Sequence, residues 1–268
     1  MLGRMTKLRV GIAGYGAIGR EVARRVMAGV PGVRLAGIAV RQPGAVEPPA
    51  GGVAVTDAAG LPGLADVVVE CAPAAAFLAI VEPALQAGRT VVVLSCAALL
   101  RHAHLPDLAR AHGGRILVPT GALLGLDAVA AAAEGTIHSV RMKTRKPPRG
   151  LAGAPHLVQN AIEVEGLTAP LMVFSGSARD AAIGFPANVN VAAALSLAGI
   201  GPDRTRIEIW ADPGVTRNIH RIELDSDAAK LVMEIENLPS ENPRTGKITA
   251  QSVVALLRKL RATVAIGT

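Results

Sequence analysis

The chain has 268 residues, of which 50% are hydrophobic and 18% are charged; this excludes a globally disordered protein and allows one large core or two domains. Its 28 basic residues outnumber its 21 acidic ones, giving a net charge of +7, but they are scattered, which argues against a nucleic-acid-binding protein. Only one Trp, one Tyr and three Phe are present, so Ala, Val, Leu and Ile must build the core.

The first predicted elements are an apolar strand at residues 8–13, a glycine turn and an amphipathic helix. The three glycines have the spacing G-x-G-x-x-G, which permits a tight turn, a close approach of backbone to a pyrophosphate, and close packing of helix on strand. A purely structural turn is the alternative. We predict a dinucleotide site formed by Gly14, Gly16, Ala17, Ile18 and Gly19.

A second apolar strand, residues 33–40, completes a βαβ unit. NAD-selective sites usually have an acidic residue at this strand end, whereas a basic residue suits the extra phosphate of NADP. This chain has Val40, Arg41 and Gln42 there, with no acid. We infer that NADP is accepted, alongside NAD; Arg41 is either the phosphate partner or a solvent-facing loop arginine.

Further apolar strands are predicted at residues 65–71, 90–94 and 115–118, as in an α/β doubly wound parallel sheet. Ligands of such sheets bind outside the carboxyl ends of the strands, so Ala72, Pro73, Ser95 and Cys96 are expected to line the nicotinamide side. Cys71 and Cys96 form no disulfide or metal-binding pattern and are interpreted as packing residues. This cysteine usage favours a cytoplasmic protein.

The βα alternation stops at residues 134–136 and is replaced by a period of two. We therefore expect a Rossmann domain at residues 1–134 and a C-terminal α+β domain on a mostly antiparallel sheet at residues 135–268. A closing helix at residues 250–261 is expected to pack back on the first domain. The uncharged stretch 181–202 is long enough for a membrane span, but its proline and asparagines favour one buried helix.

The predicted strand Val215–Leu224 is the most informative element of the second domain. Alternation places His220 on the inward face, where polar residues give way to Ile222 and Leu224. A lone histidine on such a face is either a catalytic acid/base or a structural core residue.

Several motifs together resemble the L-aspartate dehydrogenase family, and the resemblance covers essentially the whole chain. The motifs are GYGAIG, VVLSCAAL, PTGALLGLDA, TRKPP, FSGSARDAAIGFPANVNVAAALSLAG and VTRNIHRIEL. The resemblance implies oxidation of L-aspartate to iminoaspartate with NAD or NADP, in a homodimer. The imine would feed NAD biosynthesis or hydrolyse to oxaloacetate and ammonia. No membrane or nucleic-acid partner and no metal are expected.

The resemblance also assigns roles to particular residues. His220 matches the proposed acid/base, and Ala122 and Asn188 match cofactor-contacting positions. The two substrate carboxylates need cationic or amide partners, for which we expect Asn188 and Asn190. The sequence does not rank three further candidates, Lys146, His156 and Lys247.

Two other interpretations stay open at this point. A related two-domain reductase, of the homoserine dehydrogenase or dihydrodipicolinate reductase type, would share the first domain, but the PANVN and TRNIHRIEL segments argue against it. A non-catalytic nucleotide-sensing or DNA-binding protein would need a basic recognition helix outside the Rossmann unit, and the sequence indicates none.

Overall fold

The computed structural model describes residues 6–49, 51–239 and 246–267, which form two β-sheets and their associated helices. The strands are β1 (Leu8–Ala13), β2 (Val33–Ala39), β3 (Ala54–Thr56), β4 (Val67–Glu70), β5 (Thr90–Val93), β6 (Arg115–Leu117), β7 (Ile137–Lys146), β8 (Leu171–Ser177), β9 (Arg206–Ala211), β10 (Asn218–Ser226) and β11 (Lys230–Asn237). The α-helices are α1 (Ala17–Gly29), α2 (Leu61–Leu64), α3 (Phe77–Gln86), α4 (Cys96–Leu99), α5 (Leu105–His112), α6 (Leu126–Ala133), α7 (Pro155–Gln159), α8 (Ala178–Gly184), α9 (Asn190–Ala198) and α10 (Ile248–Lys259).

The first of two units contains the described residues of Met1–Ser95, His102–Pro119 and Ala250–Ile266. Its six-stranded sheet has the order β3-β2-β1-β4-β5-β6, and all its strands are parallel. The predicted doubly wound Rossmann sheet is therefore confirmed. The strand order reverses between β1 and β4, where such sheets bind their ligands.

The core of the first unit is aliphatic, as the composition requires. Strand β1 contributes Val10 and Ile12, helix α1 contributes Val22, and the late helix α10 contributes Val253 and Leu257 to one buried cluster. Val10, Ile12, Val22, Val253 and Leu257 are fully buried. Helix α10 therefore packs in the same core as strand β1, because its apolar face must also be buried.

The second unit contains Cys96–Arg101, Thr120–Thr249 and Gly267–Thr268 in their described parts. Its five-stranded sheet has the order β11-β10-β7-β9-β8, with three antiparallel pairs and one parallel pair, β7 with β9. The expected mostly antiparallel sheet is confirmed. Helix α8 contacts β8 and β9, and α9 packs on α8 and α6, so these helices cover the sheet.

Side-chain alternation in the second sheet follows the predicted period of two. On β9, Ile207, Ile209 and Ala211 are buried. On β10, His220, Ile222 and Leu224 are buried, whereas Arg221 and Glu223 are exposed. One face of this sheet therefore forms a core and the other meets solvent.

Two predicted elements have other bounds in the structure. The stretch 181–202 forms parts of two helices, not one, because Pro186 disfavours helical backbone at Phe185, which has φ −136° and ψ 54°. Strand β10 begins at Asn218, not Val215, because Asp212 closes a turn by accepting the Gly214 N–H at 2.8 Å. Within the described part of the chain, no helix is long and apolar enough to cross a bilayer.

Candidate active site

The glycine turn of the first unit fits the backbone geometry expected of a dinucleotide site. Gly14 has φ +96°, and a Cβ there would lie 2.7 Å from the backbone nitrogen of Ala72. A Cβ on Gly19 would collide with the Gly14 carbonyl oxygen. Only glycine permits this packing, and it brings the turn against the segment Ala72-Pro73, which follows β4.

The open backbone at Gly16 and the N-terminus of α1 together suit an anionic ligand. A Cβ on Gly16 would meet no described atom within 4 Å, so this backbone position is open. Helix α1 starts at Ala17, and Ile18 follows in its first turn. Among the described residues no side chain caps this end of the helix, and the first turn has no acidic residue. Its uncapped N–H groups fit a pyrophosphate.

The end of β2 has the composition that the sequence indicated. Ala39 ends the strand, and Val40, Arg41 and Gln42 follow it. Arg41 is exposed, so its guanidinium is accessible to a ligand phosphate or to water. The structure therefore leaves both interpretations of Arg41 in place.

Sequence reasoning missed Glu70, the last residue of β4, which is fully buried. Its carboxylate accepts the Ser95 N–H at 2.9 Å, the Ser95 hydroxyl at 2.9 Å and the Leu94 N–H at 3.2 Å. Burial raises the pKa of Glu70, and these hydrogen bonds oppose that rise. An acidic residue ending an otherwise apolar strand was the available signal.

In the second unit, the pairing of β10 with β7 brings three polar side chains to the buried face. His220 is opposite Thr144, and the Thr144 Oγ1 atom lies 3.1 Å from His220 Nδ1. Lys146 lies two residues further along β7 and therefore on the same face. His220 is 2% exposed and Lys146 is 4% exposed, so both ionisable groups are shielded from water.

Burial lowers the proton affinity of both groups, and the charge of Lys146 lowers that of His220 further. Burial and then the positive charge of Lys146 lower the pKa of His220 to about 3. Burial lowers the pKa of Lys146 to about 8. At neutral pH the imidazole is therefore an uncharged proton acceptor beside a largely protonated ammonium group.

The PANVN segment supplies the amides of this site. Asn188 lies between α8 and α9, and its Oδ1 is 3.5 Å from Lys146 Nζ. Asn190 begins α9, and its Oδ1 accepts the Ala97 N–H at 3.1 Å. The structure therefore places Asn188 beside Lys146, whereas the Asn190 oxygen holds α4.

The other predicted residues of this unit lie elsewhere. The Ala122 carbonyl accepts a hydrogen bond from Asn237 Nδ2 at 2.9 Å, which fixes the PTGA turn. His156 packs against Phe174 and Phe185, each ring centroid being 5.3 Å away. Lys247 is exposed.

Taken together, the buried Lys146, His220 and Thr144 and the half-buried Asn188 provide one cation, one neutral base, one hydroxyl and one amide. A cation and an amide can bind carboxylates, and a neutral imidazole can take up a proton. Sequence reasoning had found His220 and Asn188, had left Lys146 unranked, and had missed Thr144. The cross-strand partner of His220 depends on the register of β10 against β7, which the sequence alone does not reveal.

Comparison with known families and proteins identifies the group to which this chain belongs. Residues 127–260 match the family described as "Aspartate dehydrogenase, C-terminal", and residues 14–119 match "Homoserine dehydrogenase, NAD binding domain". The chain is 57% identical over 271 residues to the L-aspartate dehydrogenase of Bradyrhizobium diazoefficiens, covering 98% of this chain and 95% of that protein. The chain belongs to the L-aspartate dehydrogenase family.

Other members of the aspartate dehydrogenase family agree with this assignment. L-aspartate dehydrogenase 3 of Bordetella bronchiseptica is 57% identical, with 98% of each chain covered. The crystal structure of aspartate dehydrogenase from Thermotoga maritima has a TM-score of 0.75 at 25% identity and covers 97% of this chain and 99% of that one. The dihydrodipicolinate reductase of Paenisporosarcina sp. TG-14, at 14% identity and a TM-score of 0.51, shares the fold alone. The resemblance noted in the sequence is thus confirmed.

Proposed function

We propose that this chain catalyses the NAD(P)-dependent oxidation of L-aspartate to iminoaspartate, and its reversal. The observation that carries the proposal is the buried pair Lys146 and His220 with Asn188 beside Lys146, in a chain that belongs to the L-aspartate dehydrogenase family. The 57% identical relatives are named for this activity.

The first unit binds the cofactor, and the second unit binds the substrate. The backbone of Gly14, Gly16, Ala17, Ile18 and Gly19 holds the pyrophosphate at the open, uncapped start of α1. Arg41 contacts the 2′-phosphate of NADP, and Ala72 and Pro73 lie on the nicotinamide side. We also propose that Ala122 and Asn188 contact the cofactor, as the family resemblance implies. When bound, the nicotinamide accepts the hydride that leaves C2 of aspartate.

Lys146 and the amides of Asn188 and Asn190 bind the substrate carboxylates. A dicarboxylate beside Lys146 and His220 brings negative charge to two groups whose pKa values are lowered by burial, and so raises both. His220 then becomes a more effective base. It removes a proton from the substrate ammonium, because the nitrogen must have a free lone pair before the C=N bond can form.

Hydrolysis of iminoaspartate would yield oxaloacetate and ammonia; its capture by another enzyme would serve NAD biosynthesis. We further propose that the protein is a cytoplasmic homodimer without nucleic-acid partners. The scattered basic residues argue against a nucleic-acid partner, the cysteine pattern favours the cytoplasm, and the resemblance to the L-aspartate dehydrogenase family implies the homodimer.

An assay of cofactor reduction tests the activity directly. Purified protein is mixed with NAD or NADP and with L-aspartate, and absorbance at the reduced nicotinamide band is followed. We expect reduction with L-aspartate and none with L-homoserine. Turnover of homoserine without turnover of aspartate would exclude this proposal and support the related-reductase interpretation.

A further inference from the structure

Glu70 is a buried ionisable group that the proposed reaction does not use. Four hydrogen-bond donors converge on its carboxylate: the N–H groups of Ala72, Leu94 and Ser95 and the hydroxyl of Ser95. This single side chain therefore joins the segments that follow β4 and β5. Both segments lie at the carboxyl edge of the parallel sheet, where ligands bind.

The partners of Glu70 favour a negative charge at this position. Backbone N–H groups can only donate hydrogen bonds, so they stabilise acceptor oxygens and oppose the addition of a proton. Burial is the largest effect and raises the pKa of the carboxyl group, and the hydrogen bonds limit that rise. Three backbone donors and one hydroxyl match the acceptor capacity of the two oxygens of an ionised carboxylate.

The strand order relates Glu70 to the two ends of the cofactor. Glu70 is in register with Ala13 of β1 and with Val93 of β5. The adenosine ribose is recognised at the end of β2, so the nicotinamide half of a dinucleotide lies over β4, β5 and β6. The oxidised nicotinamide ring carries a positive charge, and the reduced ring is neutral.

We propose that Glu70 favours binding of the oxidised over the reduced cofactor, by holding a buried negative charge at the strand ends that receive the nicotinamide. The inference rests on the proposed function only for the presence of a nicotinamide cofactor. A shielded charge acts more strongly here than a surface charge, because little water separates it from the ring. The same preference assists release of the reduced cofactor after aspartate oxidation.

Glu70→Gln tests this inference, because the amide keeps the size of the side chain and can still accept N–H groups while losing the charge. Dissociation constants of NAD⁺ and NADH are measured by calorimetry and by nicotinamide fluorescence, without substrate. We expect the ratio of the NADH constant to the NAD⁺ constant to fall by roughly three- to tenfold, as for unit charges several ångströms apart at an intermediate dielectric.

Asp107→Asn is the matched control, because it removes an exposed carboxylate of the same unit, whose side chain is 77% exposed. Its ratio should equal that of the wild type. An unchanged ratio in Glu70→Gln, or equal weakening of both constants, would mean that Glu70 only holds the strand ends, and would overturn the proposal. If Glu70→Gln does not fold, Glu70→Met is measured in the same way. Because no aspartate is used, failure here is distinct from failure of the proposed activity.

Discussion

The proposed chemistry of the second unit rests on two residues whose proton affinities are shifted in the same direction. Lys146 and His220 are both buried, and both lose affinity for protons, His220 also through repulsion by the Lys146 charge. Among the described residues Lys146 has no carboxylate partner, and a buried cation without such a partner is unfavourable. We expect a dicarboxylate substrate to relieve that cost, so that the proposed site would select for anions.

Replacement of His220 tests its role as the base. We expect His220→Ala to lower kcat with L-aspartate by about 10² to 10⁴-fold, the usual contribution of a positioned acid/base, while NADP⁺ still binds. Arg221→Ala, on the exposed face of the same strand, is the control and should keep the wild-type rate. Full activity in His220→Ala would remove this residue from the mechanism.

Binding of succinate, a dicarboxylate without an amine, tests Lys146. The ammonium is charged below its pKa of about 8 and loses its charge as pH rises through that value. We expect the inhibition constant of succinate to be flat below pH 8 and to rise by up to about tenfold per pH unit above it, the slope for one proton.

Two variants separate this effect from general alkaline changes. Lys146→Met should bind succinate weakly at every pH and lack the rise. Lys143→Met changes an exposed lysine of the same strand, whose ammonium lies 4.3 Å from the Trp210 ring centroid, and should keep the wild-type profile. A wild-type profile in Lys146→Met would show that another group binds the carboxylates.

At the scale of elements, the cofactor site combines a strand end, a glycine turn and an uncapped helix. The turn needs glycine at positions 14 and 19, because the Cβ of any other residue there would collide with backbone atoms. Gly16 has no such constraint among the described residues, and its φ of −84° suits any residue. We therefore expect the small size of Gly16 to matter for ligand binding and not for the fold.

Gly16→Ala separates these two roles. We expect an unchanged melting temperature and cofactor binding weakened by about tenfold or more, because a methyl group displaces charged hydrogen bonds worth about 1.5–3 kcal/mol each. Gly63→Ala, at a similarly open position in α2, is the control and should not affect binding. Cofactor binding as tight as in the wild type would contradict the assignment of this turn to the pyrophosphate.

At the scale of the whole molecule, the first unit combines segments from both sides of the second unit in the sequence. The returning helix α10 buries Val253 and Leu257 in the cluster that contains Val10 and Ile12 of β1. The hydrophobic core of the first unit is therefore incomplete without α10. Residues far apart in sequence must pack together before the cofactor unit is stable.

Leu257→Ala measures the contribution of this returning helix. We expect the free energy of unfolding to fall by about 2–5 kcal/mol, as for other fully buried leucines, with a lower melting temperature. Arg258→Ala alters an exposed neighbour on the same helix and should change stability by less than about 0.5 kcal/mol. Equal melting temperatures for the two variants would show that α10 does not contribute to the core.

Local sequence patterns determined much of this protein. The glycine spacing with its flanking apolar segments predicted the Rossmann sheet, because each βα unit is encoded within some thirty neighbouring residues. Alternation predicted the inward face of β10 and hence the burial of His220. The missing acid after β2 is likewise a property of neighbouring residues.

Only the tertiary structure decided which distant residues meet. The register of β10 against β7 places Thr144 opposite His220 and Lys146 on the same face, and the turn before α9 places Asn188 beside Lys146. Glu70 and Ser95 meet because β4 and β5 are neighbours. Burial then shifts the pKa values, since desolvation depends on everything packed around a side chain. The sequence by itself determined the elements and their faces, and long-range packing decided the proton chemistry.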